Sequence, residues 1–553
     1  MRIKIIFFTS LFMMRIAAAD AQHAEKIVLG TDKQWYYPGE PLWFTLNVFD
    51  ACADTLSSLS KIAYVELIGA DNKPVHQMKV AITDAHGDGS FTIAENITTG
   101  IYSVVAYTNW MKNFGAGSFA RQSVQVVNPL KIAPLNVVHK EVVNPPANVA
   151  GMQVVPSKNE YAKRERVSVR IAGAASSRVS VSVFRTDALQ RGTAEIVDEQ
   201  PENPCNIGRQ EVYSFIPEAR GHIITGRVID KRTQQPKAGI RGYLSVIHAP
   251  NHLFVATSDS GGIIRFEVGD LAGEKELVLQ TNPGIDSSYA IELVTPYAGE
   301  GAHLSGSPEQ NVFEAAPAVV NAGIVSAQVQ RYFNPGAKLI DDSISGSEIP
   351  FYGKPDAVYL MSDYVHFSTV EEILREYVTT VGVQRRNGRL FPVVYNFLAN
   401  RVPFSGAPLI LVNGVPMFDH SRFMELNTDE FYSIAVVARK YFMGHQTFYG
   451  IVDVRLNTDL KNFGRYATVV DYDGASVADQ FYSPKYEDEP KRNSRIPDFR
   501  NVLYWNPRLD KDKNGNYAFD FYSSDLEGEY AIVVRAVADN GKVETSQTSI
   551  QVK

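Results

Sequence analysis

At 553 residues the chain is too long for one hydrophobic core, because single cores stop growing near ~250–300 residues, so three to five domains are expected. A hydrophobic fraction of 45% with 21% charged residues fits folded, soluble material, and a net charge of −7 excludes the basic footprint of a nucleic-acid binder. The 27 Tyr, 29 Phe, 39 Gly and 28 Pro favour strands joined by turns.

Arg2 and Lys4 form a short positive stretch, Ile5 to Met14 an apolar run, and Ala19-Asp20-Ala21 a small-x-small cleavage pattern. The apolar run is about ten residues, against the ~20 of a spanning helix. A signal peptide over 1–21 is therefore expected rather than a membrane anchor, giving an exported chain that is not itself membrane-spanning. Cys52 and Cys205 lie in loop-like contexts in different modules. Two unpaired thiols are expected, an inter-module disulfide being the alternative.

From 22 to 129, short alternating strands such as Trp43 to Phe49, Ala63 to Ile68 and Gly100 to Tyr107 are separated by turns, the pattern of a β-sandwich. Tyr37-Pro38-Gly39-Glu40, Gly87-Asp88-Gly89-Ser90-Phe91 and Thr99-Gly100-Ile101-Tyr102 with Ala106 to Met111 resemble the macroglobulin-type domain of bacterial exported proteins. After a Pro-rich linker, Tyr161 and the alternating Arg166 to Ile171 repeat that logic, so 151–200 is expected to be a second, partial sandwich of the same kind. His222 to Asp230, then Ser258-Asp259-Ser260-Gly261-Gly262 before Ile263 to Phe266, resemble the carboxypeptidase regulatory-like domain over 221–296. That module is structural and carries no peptidase chemistry. Residues 297–350 read as a connector with helical propensity at Ala315 to Gln330.

Ser368-Thr369 followed by Glu372 has the form of a capping box, and Val370, Ile373, Leu374, Tyr377 and Val378 fall at helical spacing. Leu409 to Met417 reads as strand, tight Asn413-Gly414 turn, strand. A polar helix over Asp419 to Leu426 and strands at Phe431 to Val437 and Gly450 to Leu456 follow. This order resembles the plug domain of TonB-dependent outer-membrane transporters over 356–460, with Asn413 where that family usually has Asp. Only about ninety residues remain after it, too few for a closed barrel of alternating strands. The segment 463–553 is expected to be a further C-terminal β-sandwich, with strands at Asn516 to Tyr522, Gly528 to Val537 and Thr545 to Val552.

Enzyme signatures are missing from the sequence. It has no H-E-x-x-H zinc motif, no G-x-S-x-G elbow and no phosphate-cradling glycine loop. Neither cysteine stands in a Cys-Gly-Glu-Gln run of the macroglobulin thioester type. Asp510-Lys511-Asp512-Lys513-Asn514-Gly515 begins like a calcium loop but has Phe521 where the bidentate Glu belongs, which favours a plain turn. The aromatics Trp35, Tyr36, Tyr37, Trp43 and Trp110 are expected in the core, an exposed binding strip being the alternative.

The expected fold class is mainly β, with tandem immunoglobulin-like or macroglobulin-like β-sandwiches and one small α+β plug-like domain. The expected role is a non-enzymatic cell-envelope scaffold without cofactor or metal, of the kind the resemblance ties to Bacteroidota-type exported proteins. It docks on an outer-membrane protein, a TonB-dependent transporter or other barrel assembly, from the periplasm or the cell surface. The candidate partner-binding residues are Arg385, Arg386, Arg389, Phe391 and Tyr395, because arginine mixed with aromatics is the usual make-up of a binding hot spot. The alternative is a carbohydrate- or peptide-binding protein.

Overall fold

A strand buried on both faces organises the first sandwich. Pro41–Asp50 carries Leu42, Phe44, Leu46 and Val48 into the core, and pairs with Glu25–Thr31 on one side and His86–Thr92 on the other. The glycines of the Gly87-Asp88-Gly89 motif lie opposite Leu46 and Phe44. A Cβ on Gly89 would stand 2.9 Å from the Phe44 ring and one on Gly87 3.0 Å from the Ala81 carbonyl, so close packing explains both. The facing sheet runs Trp35–Tyr36, Ala120–Val126, Gly100–Thr108, Ile62–Ile68, Pro74–Ala81 and finally Ala475–Ser476, a strand borrowed from far along the chain. The computed structural model describes residues 23–128, 130–131, 136–137, 151–174, 178–186, 202–206, 213–247, 252–299, 311–312, 317–333, 349–386, 388–397, 400–444, 446–458, 467–477 and 479–553. The expected signal peptide lies outside them.

The second sandwich corrects the expected domain plan. Its three-stranded sheet joins Gln153–Pro156 and Arg166–Ala172 to Tyr517–Tyr522. Its five-stranded sheet runs Glu160–Tyr161, Val543–Val552, Gly528–Val537, Arg178–Thr186, Val502–Asn506. Val167, Val169, Val181 and Val183 share one core with Leu503, Phe519, Phe521, Tyr530 and Ile532. The stretches 151–200 and 463–553, expected as separate sandwiches, thus contribute two halves of one. The early strands pair edge to edge with Tyr517–Tyr522 and Gly528–Val537 and share one core with them, so neither half completes the two layers alone.

Between the halves lie two further units. A small sandwich sets His222–Asp230, Ile263–Gly269 and Tyr289–Leu293 against Leu253–Thr257, Arg241–Val246, Glu274–Thr281 and the late strand Ala467–Asp473. The α+β unit has a five-stranded sheet in the order Ala357–Leu360, Phe431–Met443, Gln446–Leu456, Leu409–Val412, Val415–Pro416. Helix Val370–Glu376 begins with the expected capping box, in which Thr369 and Glu372 bond reciprocally, and buries Val370, Ile373 and Leu374. Asn413 and Gly414 take φ angles of 49° and 81° at the tight turn. The Asn413 side chain donates to the Thr458 carbonyl at 3.0 Å and accepts from Leu456 N at 2.8 Å. The opposite face of this sheet, with Leu409, Leu411, Val437 and Ile451, packs on Tyr243 and Leu253 of the small sandwich.

Helix Pro317–Phe333 lies in the connector and covers Trp35, Tyr37 and Val127 with Ala327 and Ile324. Trp35, Tyr36, Tyr37 and Trp43 are buried, as core packing requires, and Trp110 is half-buried beside Phe114 and Tyr213. Cys52 and Cys205 form a disulfide, which corrects the expectation of two free thiols. Spatial neighbourhood, not sequence spacing, brings these two loops together. In the 510–515 string, Asp512 Oδ1 accepts from Asn514 N and Asn516 N at 2.8 Å each, and Gly515 has φ 80°, the chemistry of a turn. No helix among the described residues is long and apolar enough to cross a membrane.

Candidate functional site

The candidate hairpin consists of Val381–Arg386 and Arg389–Asn396, joined at Gly388 with φ 78°. Arg386 stands opposite Arg389 and Arg385 opposite Leu390. Side chains alternate along a strand, so Arg386, Arg389, Phe391 and Tyr395 share one face and Arg385 takes the other. All three arginines are exposed. Arg386 Nη2 donates to Gln384 Oε1 at 2.9 Å and Arg385 Nη1 to the Gly388 carbonyl at 3.4 Å. Among the described residues, none of the three stands in an ion pair.

The aromatics behave differently from the arginines. Phe391 is half-buried with its ring 6.0 Å from that of His420, whose imidazole is pushed down from its ordinary range by burial. Tyr395 is half-buried across Gly382. Phe397, 41% exposed, lies at the far end of the hairpin with the Arg401 guanidinium 5.5 Å from its ring. The structure therefore gathers the arginines into one tip but draws Phe391 and Tyr395 into the unit's own packing. An apolar edge lies elsewhere on the same unit. Among the described residues, strand Ala357–Leu360 pairs on one side only, with Phe431–Met443, and leaves Val358 55% and Leu360 40% exposed, with Tyr432 55% exposed on the neighbouring strand.

Buried polar joints between units were not foreseen. At the first, Tyr64 donates to Glu218 Oε2 at 2.9 Å, His222 Nδ1 lies 2.8 Å from Glu218 Oε1, and His222 Nε2 lies 2.5 Å from Tyr472 Oη. Lys79 reaches the Asp473 carbonyl, and Lys112 Nζ donates to the Pro296 carbonyl at 2.7 Å. Burial lowers both lysines to about 8, and pushes the Tyr64, Tyr297 and Tyr472 hydroxyls up. Both Glu218 oxygens are occupied, Oε1 also by Ile223 N at 2.8 Å, so this cluster locks the first sandwich to the inserted one.

At the second joint, Lys33 Nζ donates to Glu40 Oε2 at 2.5 Å and Asn501 Nδ2 to Glu40 Oε1 at 2.8 Å. Glu40 ends the Tyr37-Pro38-Gly39-Glu40 motif, the one sequence signal that marked this place. Neighbouring Asp32 is fully buried, and burial pushes its carboxyl up to about 7. Within the second sandwich itself, Arg164 binds both oxygens of Asp525 and the carbonyls of Arg492, Ser494 and Ile496, pinning the loop that precedes the last strands. A cavity of about 410 Å³ opens beside it. Three of its four lining cations are paired, Lys163 with Glu527, Arg164 with Asp525 and Arg166 with Asp520, and the fourth, Arg492, donates to the Glu487 carbonyl at 3.4 Å. Among the described residues no group of three or more His, Cys, Asp or Glu is placed to hold a metal ion.

No protein-family model matches this sequence, and no curated protein matches it. Solved structures to which the chain is similar include Escherichia coli alpha-2-macroglobulin activated by porcine elastase, at 10% identity and TM-score 0.25, covering 96% of this chain and 44% of that one. Salmonella alpha-2-macroglobulin reacted with methylamine is matched at 10% identity and TM-score 0.25, over 96% of this chain and 39% of that one. An Escherichia coli adhesin is matched at 12% identity and TM-score 0.15, over 49% and 64%. The chain spans less than half the length of the macroglobulins it matches. Its own fold is mainly β, a set of β-sandwiches with one α+β unit.

Proposed function

We propose that this chain is an exported, non-enzymatic scaffold of the cell envelope that docks on an outer-membrane barrel protein through its α+β unit. The observation that carries the reading is the tip formed by Arg385, Arg386 and Arg389, three exposed guanidiniums without an ion-pair partner among the described residues. Guanidiniums are suited to carboxylate and phosphate surfaces, and a cluster of them held in register on a hairpin raises the on-rate for an acidic partner. The one-sided strand Ala357–Leu360, with Val358 and Leu360 exposed, offers an edge on which a partner strand can pair.

The finer assignment follows the resemblances in the sequence. The α+β unit is a plug-like domain of the TonB-dependent-receptor kind, the inserted sandwich is a carboxypeptidase regulatory-like domain, and the organisation is of the Bacteroidota exported type. A plug domain is shaped to sit against a barrel wall, so docking on a barrel protein follows by analogy between folds. Fractionation tests the reading. The tagged full chain should appear in the envelope fraction and co-purify a barrel protein from solubilised outer membranes. Recovery only as a free protein that retains oligosaccharide or peptide would replace docking by ligand capture.

A further inference from the structure

The second joint has a chemical consequence beyond docking. Lys33 and Asn501 belong to different sandwiches and meet on the two oxygens of one carboxylate, Glu40. The Lys33 and Glu40 side chains are 3% and 9% exposed. The backbone holds both ends in place, since the Lys33 carbonyl accepts from Thr31 Oγ1 at 2.8 Å and Tyr36 Oη at 2.7 Å, and the Asn501 carbonyl accepts from Arg185 N at 2.8 Å. An aromatic ring lines the site, with Lys33 Nζ 4.9 Å from the Tyr36 ring centre.

We propose that Lys33 Nζ and Asn501 Cγ become joined by an intramolecular isopeptide bond, with Glu40 as the proton-transfer group. The Lys33 ammonium passes one proton to the Glu40 carboxylate and becomes a nucleophilic amine. The acid form of Glu40 polarises the Asn501 side-chain carbonyl once the amide turns its oxygen toward it, and Nζ adds to Cγ. A second proton moves from Nζ through Glu40 to Nδ2, the Cγ–Nδ2 bond breaks, and ammonia leaves. The products are a secondary amide, one ammonia and Glu40 in its acid form, so atoms and protons balance and no oxidant is needed. Two physical effects favour the step. A buried ion pair carries a desolvation cost that a neutral amide does not, and groups fixed on one carboxylate react at high effective concentration. The bond would tie the first sandwich to the loop just before strand Val502–Asn506 of the second.

Peptide mapping of the mature full-length chain, with its disulfide reduced, tests this directly. The expected result is a peptide containing Lys33 linked to one containing Asn501 with loss of one ammonia, and no tryptic cleavage after Lys33. Cyclisation of an N-terminal Gln22 also releases ammonia, so the linked peptide and not the intact mass is decisive. Asn501→Asp should give a linked peptide of the same mass, because the acid loses water where the amide loses ammonia. Lys33→Arg keeps the ion pair but cannot form the amide, and should give no link. Glu40→Gln should give none either; should that variant not fold, Lys33→Arg supplies the control. Separate peptides carrying unmodified Lys33 and Asn501 in folded wild-type protein would overturn the proposal.

Discussion

Val169 stands directly opposite Phe519 in an antiparallel pair, both buried, although the inserted sandwich and the α+β unit lie between them in the chain. The second sandwich therefore cannot form until the C-terminal strands exist, and its closure brackets everything in between.

Truncation before Val502 should leave Arg178–Thr186 without a partner strand and Arg166–Ala172 with only the short Gln153–Pro156 beside it. Hydrogen exchange of the truncated chain is expected to show these strands unprotected while Pro41–Asp50 keeps its protection. In the full chain, Phe521→Ala should destabilise this sandwich by about 3–5 kcal/mol, because a fully buried ring leaves a cavity behind. Protected early strands in the truncated protein would show that they fold as a module of their own.

The Cys52–Cys205 bridge spans a sequence separation of 153. Loop-closure entropy for a loop of that size corresponds to about 5 kcal/mol. Replacing both cysteines by serine should lower the melting temperature of the first sandwich by several degrees. Thiol titration of the unfolded, unreduced mature chain should find no free thiol, and a count of two would refute the pairing.

What the sequence made legible was local. Thr369 and Glu372 announced a helix start, and Asn413-Gly414 a turn, because each depends on residues a few positions apart. The alternation of Arg166 to Ile171 and of Tyr517 to Tyr522 marked strands correctly, but alternation says which face is buried and not which strand covers it. For the same reason the borrowed strands Ala467–Asp473 and Ala475–Ser476 were invisible. At the candidate site, the sequence showed arginine mixed with aromatics but not the two strands, Val381–Arg386 and Arg389–Asn396, that hold them. The withdrawal of Phe391 toward His420 and of Tyr395 onto Gly382 depended on three-dimensional neighbours.

Asp32 supplies a pH test. Its folded pKa of about 7 lies above the ordinary Asp value of 3.8, so its contribution is fully present below pH 3.8 and is lost as pH rises through 7. The loss has a ceiling of roughly 4 kcal/mol. Asp32→Asn keeps an oxygen for Tyr36 Oη and Trp43 N but cannot ionise. Its stability advantage over wild type should grow from pH 4 to 7 and stay level above that, as read by denaturant melts of the first sandwich. An advantage independent of pH would mean that Asp32 is not held protonated.

The docking claim is tested most directly at the arginine tip. Arg386 already faces Arg389 across the hairpin, so replacing Arg385, Arg386 and Arg389 together by Glu exchanges one like-charge pair for another. The fold should barely notice, with a change of under ~0.5 kcal/mol for each exposed substitution. Co-purification from solubilised outer membranes, quantified against wild type, is the measurement. The predicted result is at least a tenfold loss of the barrel protein with an unchanged melting curve; an undiminished yield of the same membrane proteins would contradict docking through this unit.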